Sequence, residues 1–344
     1  MAATLVVGEL AAVDRAPRRP RADILAFIVS GISPYPTSDA RDAEVDELAA
    51  RLGAESIIYG ASRQGRPLRA VRLTNPGAPR VLCSANIHGV EFIAGRVAIG
   101  LLKNCLAPDP ALAALRARAE LWVIPSLNPD GYAATVAADG RGRLAPLRHN
   151  AGGVDLNRNF PRPGNAPTSR LPGAGSDRPG DATYRGPHPL SEPETAALDA
   201  LFTAHKFSAS ANLHSFMGTA IPARVTDPPT YAAYRALCRA LAGGQAHTRY
   251  RHLASRVFDT FTGEQEDHQH HAHGTWAACI EVFSIFASYR QHLRAPSTFW
   301  RFNPHDPGPW VDNDVPGVVA FLTAALDLGP PPASSRRSLP RGPA

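Results

Sequence analysis

Val81-Leu82-Cys83-Ser84-Ala85-Asn86-Ile87-His88-Gly89-Val90-Glu91 is an apolar run that stops at a histidine and resumes as a helix carrying a glutamate three residues on. The part from Arg80 to Ile87 is short, rich in small and apolar residues and bounded upstream by Asn75-Pro76-Gly77, the pattern of a strand buried in a sheet. In open α/β sheets ligands gather beyond the carboxyl ends of the strands, so a His and a Glu emerging there can converge on one ion. A catalytic zinc takes three protein ligands and keeps one position open, which requires a third ligand from far along the chain.

Outward from that stretch, strands and helices alternate. A helix is expected over Asp39–Leu52, strands over Ser56–Tyr59 and Leu68–Leu73 with Gly65-Arg66-Pro67 as the turn, a helix over Val90–Leu106, a second over Ala111–Ala119, and a buried strand over Leu121–Pro125. Residues 126–189 are rich in Gly, Pro, Asn and Arg and lack periodicity, and a loop this long inside a domain is usually functional. Order resumes at Ser191-Glu192-Pro193-Glu194, which reads as a capping box for a helix to His205. A strand then runs from Phe207 to Leu213 and ends at His214. A helix over Thr230–Leu241, a polar loop over Thr260–Gly274, a strand over Trp276–Ile285 carrying Glu281, and a last helix over Val315–Leu328 complete the pattern. Strands separated by helices imply an α/β fold with a mixed, largely parallel central sheet flanked by helices. The expected division is an N-terminal extension over residues 1–33, with possible strands at Leu5–Val7 and Ile24–Val29, one catalytic domain over 34–328, and a disordered tail over 329–344.

With 344 residues and 44% apolar content the chain can bury a large core. No window reaches the length of a membrane span and no secretory leader is read, so a cytoplasmic protein without membrane partners is expected. Cys83, Cys105, Cys238 and Cys279 lie in apolar runs without metal spacing, as buried free thiols do. The net charge of +6 comes from scattered arginines, Lys103 and Lys206 being the only lysines, which argues against nucleic-acid binding.

Five elements in order carry a family resemblance: Asn86-Ile87-His88-Gly89-Val90-Glu91, Asn128-Pro129-Asp130-Gly131-Tyr132, Gly153-Val154-Asp155-Leu156-Asn157-Arg158-Asn159-Phe160-Pro161, His214-Ser215-Phe216, and Glu281 on a late strand. Together they resemble the zinc carboxypeptidases of the carboxypeptidase A type, including bacterial short forms that trim cell-wall peptides, over roughly residues 35–328. The resemblance implies the α/β/α fold of that family and one Zn2+ per chain, held by His88, Glu91 and His214. It also implies hydrolysis of a peptide or amide bond next to a free carboxylate. Glu281 would be the carboxylate that moves the proton from water to the leaving amine. Arg148 would stabilise the oxyanion, with Arg141 and Arg143 as neighbours in the same loop, while Asn157 and Arg158 would hold the substrate's terminal carboxylate. Asp155 would orient His88. Asn128-Pro129-Asp130-Gly131 reads as a plain turn supporting the floor of the site.

Departures from the family bear on substrate. Phe216 stands where a tyrosine is common, and the place of the mobile tyrosine that caps bound substrate falls near Phe258-Asp259-Thr260-Phe261. Gly263-Glu264-Gln265-Glu266-Asp267-His268 resembles the specificity loop, with Glu266 as selector and Glu264 in support, so a cationic side chain (Arg, Lys or diaminopimelate) is expected to be preferred. His268, His270, His271 and His273 read as surface histidines of a polar loop rather than a second metal site. Two other functions stand beside it: a deacylase of N-acylated amino acids, against which the paired Asn128–Gly131 and Asn157–Pro161 motifs speak, and a non-catalytic binding module, which would lack a ligand or the base. Oligomeric state is not legible in the sequence.

Overall fold

The computed structural model describes residues 31–162, 173–253, 261–294 and 297–337. The possible strands before residue 30 lie outside these residues. Eight strands form one sheet in the order β1-β2-β4-β3-β5-β8-β6-β7. They span Glu55–Ala61 (β1), Pro67–Leu73 (β2), Arg80–Ala85 (β3), Glu120–Ile124 (β4), Ala209–Ser215 (β5), Thr219–Pro222 (β6), Arg251–His252 (β7) and Trp276–Val282 (β8). The four central strands β4, β3, β5 and β8 are mutually parallel, and the hairpin β1–β2 at one edge and β6 beyond β8 add the antiparallel pairings. This is the mixed, largely parallel sheet that the alternating pattern predicts.

Strand periodicity divides the interior into two layers. Val81, Cys83 and Ala85 of β3 with Leu121 and Val123 of β4 face one core, completed by helices α1 (Ser38–Leu52), α2 (Phe92–Asn104), α3 (Pro110–Arg118), α7 (Pro228–Gly244) and α11 (Gly308–Leu328). Leu82, Trp122 and Ile124 point the other way and meet Leu198, Leu201 and Phe202 of α6 (Pro193–His205). Trp122 is fully buried there, ring edge against Phe207 and indole N–H on Glu120. Its truncation to Ala would cost about 3–5 kcal/mol. Among the described residues no helix is long and apolar enough to cross a membrane. All four cysteines are free, Cys105 alone being only half-buried.

Several expectations need correction. The aperiodic stretch after Ile124 contains α4 (Pro129–Ala137) and α5 (Leu144–Arg148), and Asn128-Pro129-Asp130-Gly131 is the start of α4 rather than a plain turn. Asn128 caps it, accepting from Gly131 N, and Pro129 sits at the first helical position where its missing N–H costs nothing. The capping box at α6 does not form: Glu192 is the cap residue without a side-chain bond, because Glu194 accepts instead from Arg63 N. The polar stretch expected over 260–274 is largely buried from Phe261 to His271, and carries helix α8 (Gln265–His273), its interior held by hydrogen bonds rather than apolar periodicity. The strand expected to reach Ile285 stops at Val282; Phe283 takes φ +67 and α9 (Ile285–Arg294) follows, then α10 (Thr298–Phe302). Nor is the whole of 329–344 a loose tail. Trp276 Nε1 donates to Gly329 O, and Ser335 is buried beside His270 with Oγ 3.2 Å from its Nε2, so residues 329–337 pack on the domain.

Candidate metal centre

β3, β5 and β8 end side by side, and their last residues build the site. After Ala85 the chain turns through Asn86, which adopts φ 55, a conformation Asn tolerates better than most residues. Its Nδ2 donates to His88 O at 2.9 Å and its Oδ1 accepts from Ser126 Oγ, holding the turn that presents His88 and Glu91. Gly89 sits in that turn because a Cβ there would lie 2.4 Å from the Gly131 backbone. Asn128 Nδ2 bridges Ile87 O and His149 O, and Gly89 N donates to Arg148 O, so the α4 cap and the α5 end form the floor. On the neighbouring strands His214 of β5 and Glu281 of β8 are register partners, and Cys279, Asn212 and Ser84 share their face one pair earlier.

The buried side chains of His88, Glu91 and His214 converge, their donor atoms within 4.8 Å of one another. His88 Nδ1 is 2.7 Å from Glu91 Oε1, and His214 Nδ1 is 3.2 Å from Glu91 Oε2. The second contact lacks hydrogen-bond geometry, so Glu91 Oε2 is buried without a partner, as is Glu281 Oε2. Burial pushes the Glu91 carboxyl up, but His88 and His214 outweigh it and hold it at about 2. The two imidazoles part company. Burial and Arg148 push His88 down, yet Glu91 and Asp155 prevail and raise it, whereas burial keeps His214 below its ordinary value. Two imidazole nitrogens and a carboxylate with an unsatisfied oxygen suit a zinc ion, whose charge would supply the missing partner.

Asp155 joins this group to Arg148: its Oδ1 is 3.1 Å from His88 Nε2 and its Oδ2 accepts from Arg148 Nε at 2.9 Å. A carboxylate behind a ligand histidine fixes the ring's orientation and tautomer. Glu281 is pushed up to about 8, first by burial and then by Glu91, with His88 and Arg148 opposing. Its Oε1 lies 3.9 Å from Cys279 Sγ.

Asn157 and Arg158 stand in a 3-10 turn, Leu156–Arg158, capped by Asp155. Asn157 Oδ1 accepts from Gln265 N at the start of α8. The Arg158 guanidinium donates to Gly173 O through Nε and Nη2 and to Asn157 O through Nη1, and Nη1 also lies 3.4 Å from Glu264 Oε1. The acid beside Arg158 is thus Glu264, while Glu266 is buried in the first turn of α8 with Oε2 unpartnered. Burial, then Glu264 and Asp267, push the Glu266 carboxyl far above its ordinary range. Arg224 answers two of these three acids, pairing with Glu264 and with Asp267 at 2.9 Å. The sequence reading missed Arg224, Cys279 and Gln265, whose Nε2 donates to Ser84 Oγ and Asn212 Oδ1. Cys279 could have been found, because residues two apart on a strand share a face with Glu281. Phe216 packs edge-on against Phe302 at 4.8 Å. Of the stretch around the mobile tyrosine's place only Phe261 is described, and it is buried.

Two histidines and a carboxylate at strand ends, with a second carboxylate, Glu281, beside His214 in register, define a metal-dependent hydrolytic centre in its class. Residues 45–292, more than half of the chain, match the zinc carboxypeptidase family, and the chain belongs to that family. A metallocarboxypeptidase A-like protein of Trichophyton verrucosum is 31% identical over 151 residues, covering 42% of this chain and 34% of that protein. The chain spans less than half the length of the curated relatives it matches. In fold it is similar to carboxypeptidase A from Helicoverpa armigera, at a TM-score of 0.67 and 19% identity over 85% of this chain and 74% of that one. It is also similar to a metallo-carboxypeptidase from Pseudomonas aeruginosa solved with (2-guanidinoethylmercapto)succinic acid, at 0.54 and 19% over 84% and 69%.

Proposed function

We propose that this chain is a zinc-dependent carboxypeptidase that cleaves the peptide or amide bond next to a free carboxylate and prefers a cationic terminal side chain. The observation that carries the reading is the meeting of His88, Glu91 and His214 at the end of the parallel strands, with Glu281, whose Oε2 has no partner, opposite His214 in register. One zinc per chain would be held by those three residues. When bound, zinc supplies a Lewis acid that polarises the scissile carbonyl and acidifies water toward neutrality. Glu281, whose buried Oε2 has no partner, would take a proton from water and pass it to the leaving nitrogen. Arg148, fixed by Asp155, directs positive charge at the forming oxyanion. Arg158 and Asn157 receive the substrate's carboxylate. To do so Arg158 exchanges its contacts with Gly173 O and Glu264 for that anion.

The cation preference is supported by Glu266, a buried carboxyl in the first turn of α8 that neither Arg158 nor Arg224 pairs with and whose Oε2 has no partner. A substrate guanidinium or ammonium would give Glu266 Oε2 its missing partner and relieve Glu264 of Arg158. The Pseudomonas neighbour's ligand, a guanidino-bearing succinic acid, combines such a cation with carboxylates. The reading is tested on the purified chain with dipeptides ending in Arg, Lys, diaminopimelate, Phe or Leu, their C-terminal amides, and N-acyl amino acids. Expected is cleavage of free acids only, with kcat/KM at least tenfold higher for cationic termini. Equal cleavage of the amides would remove the carboxylate clamp, and equal rates on Phe and Arg termini would remove the cation preference.

A further inference from the structure

Four histidines lie within six residues of α8, and their partners separate them into two kinds. His270 is taken up by Tyr234 Oη at Nδ1 and Ser335 Oγ at Nε2, and His271 by Arg224 O and Arg337 N. His268 and His273 instead both turn Nε2 onto a single oxygen of another helix, Asp199 Oδ1 of α6, at 2.6 and 2.8 Å. The rings stand edge to face, 5.2 Å between centroids at 84°. All three donor atoms lie within 4.8 Å of one another.

We propose that Asp199, His268 and His273 form a second site for a divalent transition-metal ion of the zinc class, weaker than the one at His88, Glu91 and His214. Two imidazoles and a carboxylate are the donor set such an ion takes, and bonds of about 2.1 Å place its donors about 3.3 Å apart. Starting from contacts of 2.6 and 2.8 Å, each side chain needs to retreat by less than about 1 Å to admit the ion. Asp199 is 28% exposed on its side chain, which leaves an approach from solvent and a position for water. Burial holds His268 below its ordinary value, so its ring is neutral, and moving its one proton from Nε2 to Nδ1 turns the Nε2 lone pair to the ion. Asp199 stays ionised because the two histidines outweigh its partial burial.

The weaker affinity also has a structural cause. His88 at the first centre is backed by Asp155, whereas His268 Nδ1 is buried without a partner, and the absence of such a backing acceptor commonly lowers affinity 10–100-fold. The ion would staple α8 to α6. The first turn of α8 contacts Asn157 and Arg158, so the staple would steady the segment that meets the terminal carboxylate of substrate.

The test uses the full chain loaded with zinc, then zinc alone added and counted by elemental analysis after dialysis against chelators of graded strength. Expected are two zinc per chain at saturation, the second lost at least tenfold more readily, and a rise in Tm with added zinc. Asp199→Ala and His273→Gln should each bind one zinc and lose that rise, while His214→Ala should keep the weaker zinc. Two variants guard against one failing to fold, and retention of the tighter zinc reports the fold of each. A wild-type chain saturating at one zinc, or a second zinc retained in both Asp199→Ala and His273→Gln, overturns the proposal. Loss of only the tighter zinc in His214→Ala keeps this site distinct from the one on which the proposed function rests.

Discussion

At the ends of β3 and β5, His88, Glu91 and His214 meet with an oxygen of Glu91 left over, whereas between α6 and α8 one oxygen of Asp199 takes up both imidazoles through Nε2, and the atom left over, His268 Nδ1, lies on the far side of its ring. Both groups hold two imidazoles and one carboxylate. In the first, His214 hangs from a strand paired on both sides, while His88 and Glu91 hang from a turn tied down by Asn86 and Asn128, so little local motion is open to it. The second hangs from helix side chains that close on one another. The difference teaches that an unpaired buried atom on a rigid frame points to a missing partner, while a self-satisfied cluster has to be opened before it binds anything.

The strongest way to break this comparison is at the strand ends. His214→Ala is expected to lose the tighter metal and, with it, at least a thousandfold in kcat/KM. Glu281→Gln is expected to keep the metal, stay folded and lose turnover to a similar degree, since only the proton shuttle goes. Elemental analysis beside steady-state kinetics separates the two, and near-normal turnover in Glu281→Gln would move the base elsewhere.

A smaller effect sharpens the role of rigidity. Asp155→Asn removes the charge that joins His88 to Arg148 without changing size. The expected loss is about 10–100-fold in metal affinity or activity. A loss confined to KM with normal metal content would show that Asp155 does not position His88.

The smallest effect belongs to α8, and it is a matter of pH. Burial, then His271, hold His270 down at about 3, so its imidazole stays neutral in the folded chain while the unfolded chain protonates it near its ordinary value of 6.5. A base with a lowered folded pKa contributes stability that is complete above 6.5 and lost as pH falls toward 3. By pH 5.5 the loss should reach about 1.4 kcal/mol from this one residue. Denaturant unfolding at pH 7.5 and 5.5 should show that decline in the wild type and a flatter one in His270→Gln. An equal decline in both would place the acid sensitivity outside His270.

How legible the molecule was follows the same division. The strand–helix alternation and the strand-end motif could be read because a two-residue period and an apolar run state which side of a strand is buried, and β3 and β4 obey it residue by residue. The segment 260–274 looked like a solvated loop because its interior is built from Gln265, Glu266, His268, Gln269 and His270, which carry no apolar period and are buried only because partners from β5, α6 and α7 meet them. The start of α4 hid behind Asn-Pro-Asp-Gly, a turn signal that equally well caps a helix.

By itself the sequence determined the order of the central elements, the family and the residues at the three strand ends, because those depend on local periodicity and on motifs a few residues long. Tertiary structure alone decided that Glu264 meets Arg158, that Arg224 offsets the acids of α8, and that Asp199 gathers His268 and His273. Each of those pairings joins residues 40 to 106 positions apart along the chain, through side chains whose charge says nothing about which partner is within reach until the helices have packed.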